Sequence, residues 1–296
     1  MNILKQHTKI EDYCILDELC NIERAYRQLY IAQDSYGKNY VLTIYDVDAT
    51  PKSMKTEKNG VTSINEFELR CKLTKANELP RLANKGSILI DGKNIAWLCS
   101  DYCEAEPLSD YIKTHGAIEA KQAIEMIHDV LLSIYEVSLI TNGGGHFNLS
   151  LDNLMVYIDK EGKPTLMLVG WSHLSMPCNG RPVFDTKELN PLYRAPETFI
   201  GQFTRQTDIY SLGIILAYML IGHYPWNASK LDLTDIASIP ANIKAMMKEP
   251  IIIPSVDSSI QEIIRSATAF SLLKRLKSAK DFILKPESCL LFGRVG

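Results

Sequence analysis

The stretch Gly145-His146-Phe147-Asn148-Leu149-Ser150-Leu151-Asp152-Asn153-Leu154-Met155-Val156 decides the fold of this chain. It follows Asn142, Gly143 and Gly144, and its own Gly145 completes a run of three glycines, which is typical of the end of a helix. The preceding segment, residues 118–140, has the apolar periodicity of a long amphipathic helix. The apolar segments 154–158 and 165–169 flank a turn and predict a β-hairpin. A helix, a polar loop and a hairpin therefore follow one another at the centre of the chain.

The spacing within this polar loop resembles the catalytic loop of the protein kinase superfamily, where His-Arg-Asp-Leu is followed four residues later by Asn. His146, Leu149 and Asn153 keep that spacing. Asn148 stands at the position of the catalytic Asp, and an amide cannot accept a proton from a substrate hydroxyl as a carboxylate can. The resemblance implies an α+β, two-lobed protein-kinase-like fold. It has a small antiparallel β-rich N-lobe and a larger, mainly helical C-lobe.

The resemblance extends over residues 10–285 and places the boundary between lobes after Ser100. We expect an N-lobe of residues 1–100, with a five-stranded sheet and one helix, and a C-lobe of residues 101–296. The predicted strands of the N-lobe are 13–19, 28–32, 40–45, 87–90 and 95–99. Residues 50–60 predict a loop, and residues 61–77 have the periodicity of the N-lobe helix.

The segments that hold nucleotide phosphates in the family lack the residues for that task. The loop at residues 20–27 contains no glycine, although glycine allows backbone N–H groups to approach phosphates closely. On the third strand, aligning Val41 with the family's Ala places Thr43 at the position of the family's Lys. A shift of two residues places Tyr45 there instead. Neither alignment supplies a cation.

The helix of the N-lobe should provide a Glu that pairs with the strand Lys. Counting back from Pro80 places Arg70 at that position, whereas a small shift would bring Glu66 or Glu68 there. Because no strand Lys is present, we expect the ion pair to be absent in either alignment. Solvated helix charges are the favoured interpretation of Glu66 and Glu68.

The metal-binding motif of the family is also altered. Gly170-Trp171-Ser172 stands where the resemblance implies Asp-Phe-Gly, so the metal-binding carboxylate is replaced by a residue with no side-chain ligand. Asn153 is left as a possible secondary ligand, and Trp171 is expected to pack inward. We therefore predict no metal site, and Mg-ATP binding that is absent or very weak. The remnant of the nucleotide cleft would comprise Val41, Ser100, Asp101, Tyr102, Asn153, Met155 and Trp171.

The structural landmarks of the family are retained. The segment 195–197 reads Ala-Pro-Glu, and Asp208 opens the pattern D-x-x-S-x-G. The resemblance implies that Asp208 holds the loop around His146 and that Glu197 pairs with Arg275. Thr207 is the predicted N-cap of the following helix. The losses thus fall on residues that touch phosphate, metal or the attacking hydroxyl.

Composition and charge argue against several classes of protein. The formal net charge is −3 and the pI is about 6.1, which gives no electrostatic attraction to nucleic acid or to an anionic membrane. The seven cysteines are scattered without zinc spacing, which favours free thiols in a reducing compartment. The first residues do not resemble a signal peptide. We therefore expect a cytoplasmic protein.

Together these features predict a catalytically inactive pseudokinase, not an enzyme, that binds another protein as a scaffold or allosteric regulator. One alternative is a nucleotide-binding sensor without phosphoryl transfer. A second is an atypical kinase-fold transferase, for which His173 is the nearest candidate base.

A possible partner surface is predicted between Pro240 and Pro250. Ile243, Met246 and Met247 lie on one face of a helix there. The favoured interpretation is that this face packs on the C-lobe; the alternative is that part of it remains exposed to a partner.

Overall fold

The computed structural model describes residues 3–24, 26–58, 61–73, 80–173, 189–226 and 247–283. The chain divides into two compact units. The first comprises Met1–Lys72 and Pro80–Glu104, and the second comprises Leu73–Leu79 and Ala105–Gly296. The first unit consists mainly of strands and the second mainly of helices, as the resemblance implied.

An antiparallel sheet of six strands, rather than the predicted five, forms most of the first unit. The additional strand, β1 (Lys9–Ile10), pairs with β2 at one edge. The strand order is β1-β2-β3-β4-β8-β7. The other members are β2 (Tyr13–Arg24), β3 (Arg27–Gln33), β4 (Asn39–Asp46), β7 (Leu82–Ile90) and β8 (Lys93–Asp101).

Both faces of the central strands are buried, which explains the nearly continuous apolar sequence of β4. Leu42 and Ile44 point to one face and pack with Trp97 of β8. Tyr45 points to the other face and packs edge-to-face on Phe67 of helix α1 (Asn65–Arg70), with ring centroids 5.5 Å apart. Alternation along one strand therefore fixes which residues face α1.

Two predictions about local structure in this unit are wrong. The predicted loop 20–27 is instead part of a β-ribbon, because β2 continues to Arg24 and pairs there with Arg27. Residues 55–58 of the predicted loop 50–60 and residues 61–64 of the predicted helix 61–77 are instead two paired strands, β5 (Lys55–Lys58) and β6 (Val61–Ile64), and the helix begins only at Asn65. The β-branched residues Val61, Thr62 and Ile64 favour this strand over a helix.

The second unit contains five described α-helices and a small sheet of order β11-β10-β9. The sheet consists of β9 (Glu106–Pro107), β10 (Leu154–Ile158) and β11 (Pro164–Leu168). The helices are α2 (Leu108–His115), α3 (Ala120–Ile140), α4 (Arg205–Ile221), α5 (Ser258–Ala267) and α6 (Ala279–Ile283).

Helix α4 is buried almost all round, which is expected of a helix at the centre of a domain. Its N-cap is Thr204, whose Oγ1 accepts a hydrogen bond from the backbone N–H of Gln206 at 3.1 Å. Thr207, which was predicted to be the cap, lies three residues inside the helix. Its hydroxyl accepts from the Thr204 N–H and completes a capping box.

Met247 is only 3% exposed, which agrees with the favoured interpretation that this face packs on the C-lobe. Ile243 and Met246 lie outside the described residues. Cys14, Cys71, Cys99 and Cys103 are free thiols. In the described ranges, no helix combines the length and apolar character needed to cross a bilayer.

Candidate functional site

The loop 145–148 is held by the carboxylate of Asp208. The backbone N–H groups of His146 and Phe147 donate to its two oxygens, each at 2.8 Å. A Cβ atom at residue 145 would lie 2.3 Å from Asp208 Oδ2, so only glycine permits this approach. Burial raises the pKa of Asp208 to about 7, and the two backbone donors oppose part of that rise. The landmark Asp therefore performs the structural task that the resemblance implied.

Phe147 replaces the Arg of the family pattern and anchors the same loop through apolar contacts. Its side chain is 4% exposed and forms a cluster with Leu189 and Phe203. The rings of Phe147 and Phe203 lie edge-to-face with centroids 5.2 Å apart. The backbone of Phe147 is left-handed, with φ +61°. The loop is thus fixed from one side by a carboxylate and from the other by packing.

Asn148 occupies the position of the catalytic base and is partly exposed. Its backbone carbonyl accepts a hydrogen bond from Asn153 Nδ2 at 2.6 Å. A cavity of about 10 Å³ lies beside it, between the loop and the segment that contains Tyr193 and Arg194. That volume is about the minimum for one water molecule. The residue presents an amide where the family presents a carboxylate.

Gly170 lies where the family places its metal-binding Asp, and the structure leaves no room there for a side chain. A Cβ atom at this position would lie 2.3 Å from Asn153 Oδ1. The backbone φ of +78° is also unfavourable for residues other than glycine. The amide of Asn153 therefore occupies the space into which the acid would project, while its Nδ2 is committed to the Asn148 carbonyl.

Trp171 packs inward, as predicted. It is 2% exposed, its indole N–H donates to the carbonyl of Leu168 at 3.1 Å, and its ring lies edge-to-face with His146. His146 Nε2 in turn contacts the carbonyl of Val169 at 2.9 Å. His173 is also buried, at 2% exposed, and its Nδ1 lies 3.1 Å from Ser172 Oγ. This burial does not favour a role for His173 as a base acting on substrate.

The first unit contains a cation–acid pair that the sequence did not predict. Arg27, on β3, contacts Glu66 of α1 through Nε–Oε2 at 3.2 Å and Nη2–Oε1 at 3.3 Å. Tyr45 donates its hydroxyl to Glu66 Oε2 at 2.6 Å. Thr43, the residue aligned with the family's Lys, is 2% exposed and pairs in the sheet with Leu29. The cation therefore comes from the strand next to the expected one.

This pair corrects two expectations about α1. Glu66 is 3% exposed and is not a solvated charge, whereas Glu68 is exposed and pairs with Lys85. Glu66, and not Arg70, is the residue of α1 that faces a cation on the sheet. Arg70 lies one turn later, is 6% exposed, and approaches Glu66 at 3.8 Å.

Electrostatics keep Glu66 ionised in this setting. Burial alone would raise the pKa of Glu66, but the charges of Arg27 and Arg70 and the hydrogen bonds from Arg27 and Tyr45 outweigh it and lower the pKa. The strand register could have revealed the Arg27–Glu66 pair. Gln33 of β3 pairs with Asn39 of β4, and counting outward from there sets Arg27 opposite Tyr45, which also contacts Glu66.

The remaining residues of the predicted nucleotide cleft are described here by the contacts that they make within their own units. In the first unit, Val41 pairs with Ser100, and Asp101 accepts a hydrogen bond from Lys38 Nζ at 2.7 Å. Tyr102 is 39% exposed. In the second unit, Met155 of β10 pairs with Pro107 and Met167.

Glu197 and Arg275 form the buried pair that the resemblance implied. Arg275 donates from Nη1 to Oε1 at 2.7 Å and from Nη2 to Oε2 at 3.0 Å. Its Nε donates to the carbonyl of Ala269, and the guanidinium lies 5.0 Å from the ring centroid of Tyr210. Thr207 donates its hydroxyl to Glu197 Oε1 at 3.0 Å. The charges are thus nearly saturated with partners.

Comparison with known proteins agrees with this geometry. The sequence model of one protein family, the protein kinase domain, matches residues 43–284. The chain belongs to the protein kinase domain family. Its two-lobed fold class is thereby confirmed, since it also matches the structure of the Cydia pomonella granulovirus kinase PK-1. That match has a TM-score of 0.70, 18% identity, and coverage of 94% of this chain and 95% of the viral one.

Curated relatives of this protein kinase domain include calcium-dependent protein kinase 5 of Plasmodium berghei. It is 23% identical over 206 residues, which cover 68% of this chain and 35% of that protein. The serine/threonine-protein kinase PrkC of Bacillus subtilis is 24% identical over 191 residues, covering 64% and 28%. The chain therefore spans about a third of the length of these relatives.

Positions 148 and 170 of this kinase domain do not fit the Mg²⁺ of a Mg-ATP complex. Mg²⁺ is bound in such sites through one or two carboxylates together with the phosphates. Gly170 offers neither a ligand atom nor space for one, and Asn148 offers an amide. Within the part of the chain that the structure describes, no three His, Cys, Asp or Glu residues group to hold a metal ion.

Proposed function

We propose that this protein kinase domain is a pseudokinase, which does not transfer phosphate and acts by binding another protein as a scaffold or allosteric regulator. The observation that carries this proposal is at Gly170. A metal-binding side chain there would have to displace Asn153, whose amide holds the loop through the Asn148 carbonyl. The glycine at position 170 is therefore consistent with the position of the Asn153 side chain beside it.

The location of Arg27 supports the same proposal. Phosphoryl transfer in the family requires a cation that reaches the phosphates. The side chain of Arg27 is only 3% exposed and is engaged by Glu66. Its Nε and Nη2 both contact Glu66, so we infer that its role is to hold α1 on the sheet.

A third support is the way the loop 145–148 is fixed. Asp208, the Phe147 cluster and Trp171 all contact this loop with side chains of the same unit. We infer that a loop held in this way can present a constant surface to a partner. The Glu197–Arg275 pair is also compatible with the proposal, because it stabilises the fold whether or not catalysis occurs.

The proposal is tested by thermal unfolding of the purified chain with ATP, GTP or ADP, each with and without Mg²⁺. A ligand that binds only the folded state must raise the melting temperature. We expect no rise with any nucleotide. A rise that requires Mg²⁺ would contradict the proposal, and a rise without Mg²⁺ would favour a nucleotide sensor instead.

A further inference from the structure

The second unit contains a pocket that shares only Phe203 with the site described above. Its volume is about 600 Å³, which lies within the range of small-molecule sites. It is formed by the end of α3, the start of α4 and the start of α6. Its described lining includes no residue between 144 and 202, and so none of the loop 145–156.

The charged side chains among the described lining residues are both cations, Arg205 and Lys280. Both side chains are exposed, and neither forms an ion pair with another described residue. The nearest acid in sequence, Asp281, accepts a hydrogen bond from Oγ of the pocket-lining Ser278 at 2.9 Å, and its N–H donates to the same hydroxyl at 3.2 Å. The two cations therefore outnumber this carboxylate beside the pocket.

The same pocket has an apolar part. Leu139, near the end of α3, is 62% exposed although it is a large aliphatic side chain. Beside it lie Phe203, which is 1% exposed, and the partly buried ring of Tyr135. Covering Leu139 would remove apolar surface from water, which is favourable. An occupant would thus meet an apolar surface and two cations within one cavity.

We propose that this pocket binds a small organic anion, namely a carboxylate or phosphate carried on an apolar body. The anionic group contacts Arg205 and Lys280, and the apolar body covers Leu139. The N-terminus of α4, at Thr204 and Arg205, adds a partial charge of the same sign. This inference does not depend on the proposed function, because it concerns a separate part of the second unit.

The test is calorimetric titration of the full chain with phenyl phosphate, with inorganic phosphate and benzyl alcohol as partial probes. We expect saturable binding of phenyl phosphate that weakens as salt is added. The other two probes should bind more weakly. Arg205→Met with Lys280→Met should weaken binding roughly tenfold, because both charged contacts to the anionic group are lost.

Two further variants make the test specific. Lys274→Met removes an exposed cation elsewhere in the same unit and should leave the affinity unchanged. Leu139→Ser should weaken binding of phenyl phosphate and not of inorganic phosphate. The four substituted positions, 139, 205, 274 and 280, are exposed, so the melting temperature of each variant should equal that of wild type. Three results would overturn the inference: no saturable binding, unchanged affinity in the double variant, or equal affinity for inorganic phosphate and phenyl phosphate.

Discussion

Arg27 on β3 and Glu66 on α1 form a buried ion pair in which both guanidinium contacts lie between 3.2 and 3.3 Å. Their side chains are 3% and 2% exposed. In the family, a strand Lys makes the contact between the sheet and this helix. Here Arg27 makes that contact, and its side chain is buried. Helix α1 is therefore fixed by a cation that is not available to a nucleotide.

The first prediction concerns the strength of this pair. Arg27→Met should lower the free energy of unfolding by about 3–5 kcal/mol, because it leaves Glu66 buried without its main partner. Chemical denaturation followed by circular dichroism measures the loss. Lys85→Met is the matched control, since it breaks the exposed pair with Glu68 of the same helix and should cost less than about 1 kcal/mol. Equal losses in the two variants would show that the Arg27 pair is not buried in solution.

The second prediction follows from the lowered pKa of Glu66. A carboxyl whose folded-state pKa lies below its ordinary value of 4.5 contributes stability above that value and loses it as the pH falls through the folded-state pKa. The stability advantage of wild type over Glu66→Gln should therefore be largest at neutral pH and shrink below about pH 4.5. Unfolding free energies of both proteins from pH 7 to pH 3 measure it. An advantage that grows on acidification would refute the assignment.

The third prediction concerns the space at Gly170. Gly170→Ala should destabilise the chain by more than Gly162→Ala does. Both glycines have φ near +78°, but a Cβ at residue 162 would have nothing within 4 Å. The control measures backbone strain alone, about 1–2 kcal/mol, and the contact with Asn153 should add about 1–3 kcal/mol.

A double-mutant cycle isolates that contact. Asn153→Ala removes the side chain that Gly170→Ala would meet, so the double variant should be more stable than the sum of the single effects predicts. Additive effects would mean that the amide of Asn153 does not occupy this space.

The fourth prediction concerns the landmark pair of the second unit. Arg275→Met should lower the free energy of unfolding by about 3–5 kcal/mol, because it leaves Glu197 buried without its partner. Arg265→Met removes a similar two-contact pair with Glu262 that is exposed, and should cost less than about 1 kcal/mol. Thermal and urea unfolding would measure both. If Arg275→Met left the melting temperature unchanged, the pair would contribute nothing to the fold.

The sequence predicted the fold class because its structural landmarks depend on local spacing. Asp208, Glu197 and Arg275 make the contacts that the resemblance implied. The strands around Tyr45 and Trp97 were also predictable, since their apolar residues are nearly continuous.

The errors arose where long-range contacts outweigh local pattern. Glu66 looks like a helix surface charge until β3 brings Arg27 to it. Residues 20–24 have the polarity of a loop, but pairing with β3 extends them as a strand. The space at Gly170 depends on the side-chain position of Asn153, which no sequence pattern specifies.

The central claim is that this kinase domain does not transfer phosphate. The most direct measurement is release of ADP from ATP by the purified chain with Mg²⁺ or Mn²⁺, compared with its Asn153→Ala variant. The proposed role predicts that wild type and Asn153→Ala show the same background rate as a preparation without the protein. Sustained turnover by wild type that Asn153→Ala abolishes would contradict the claim.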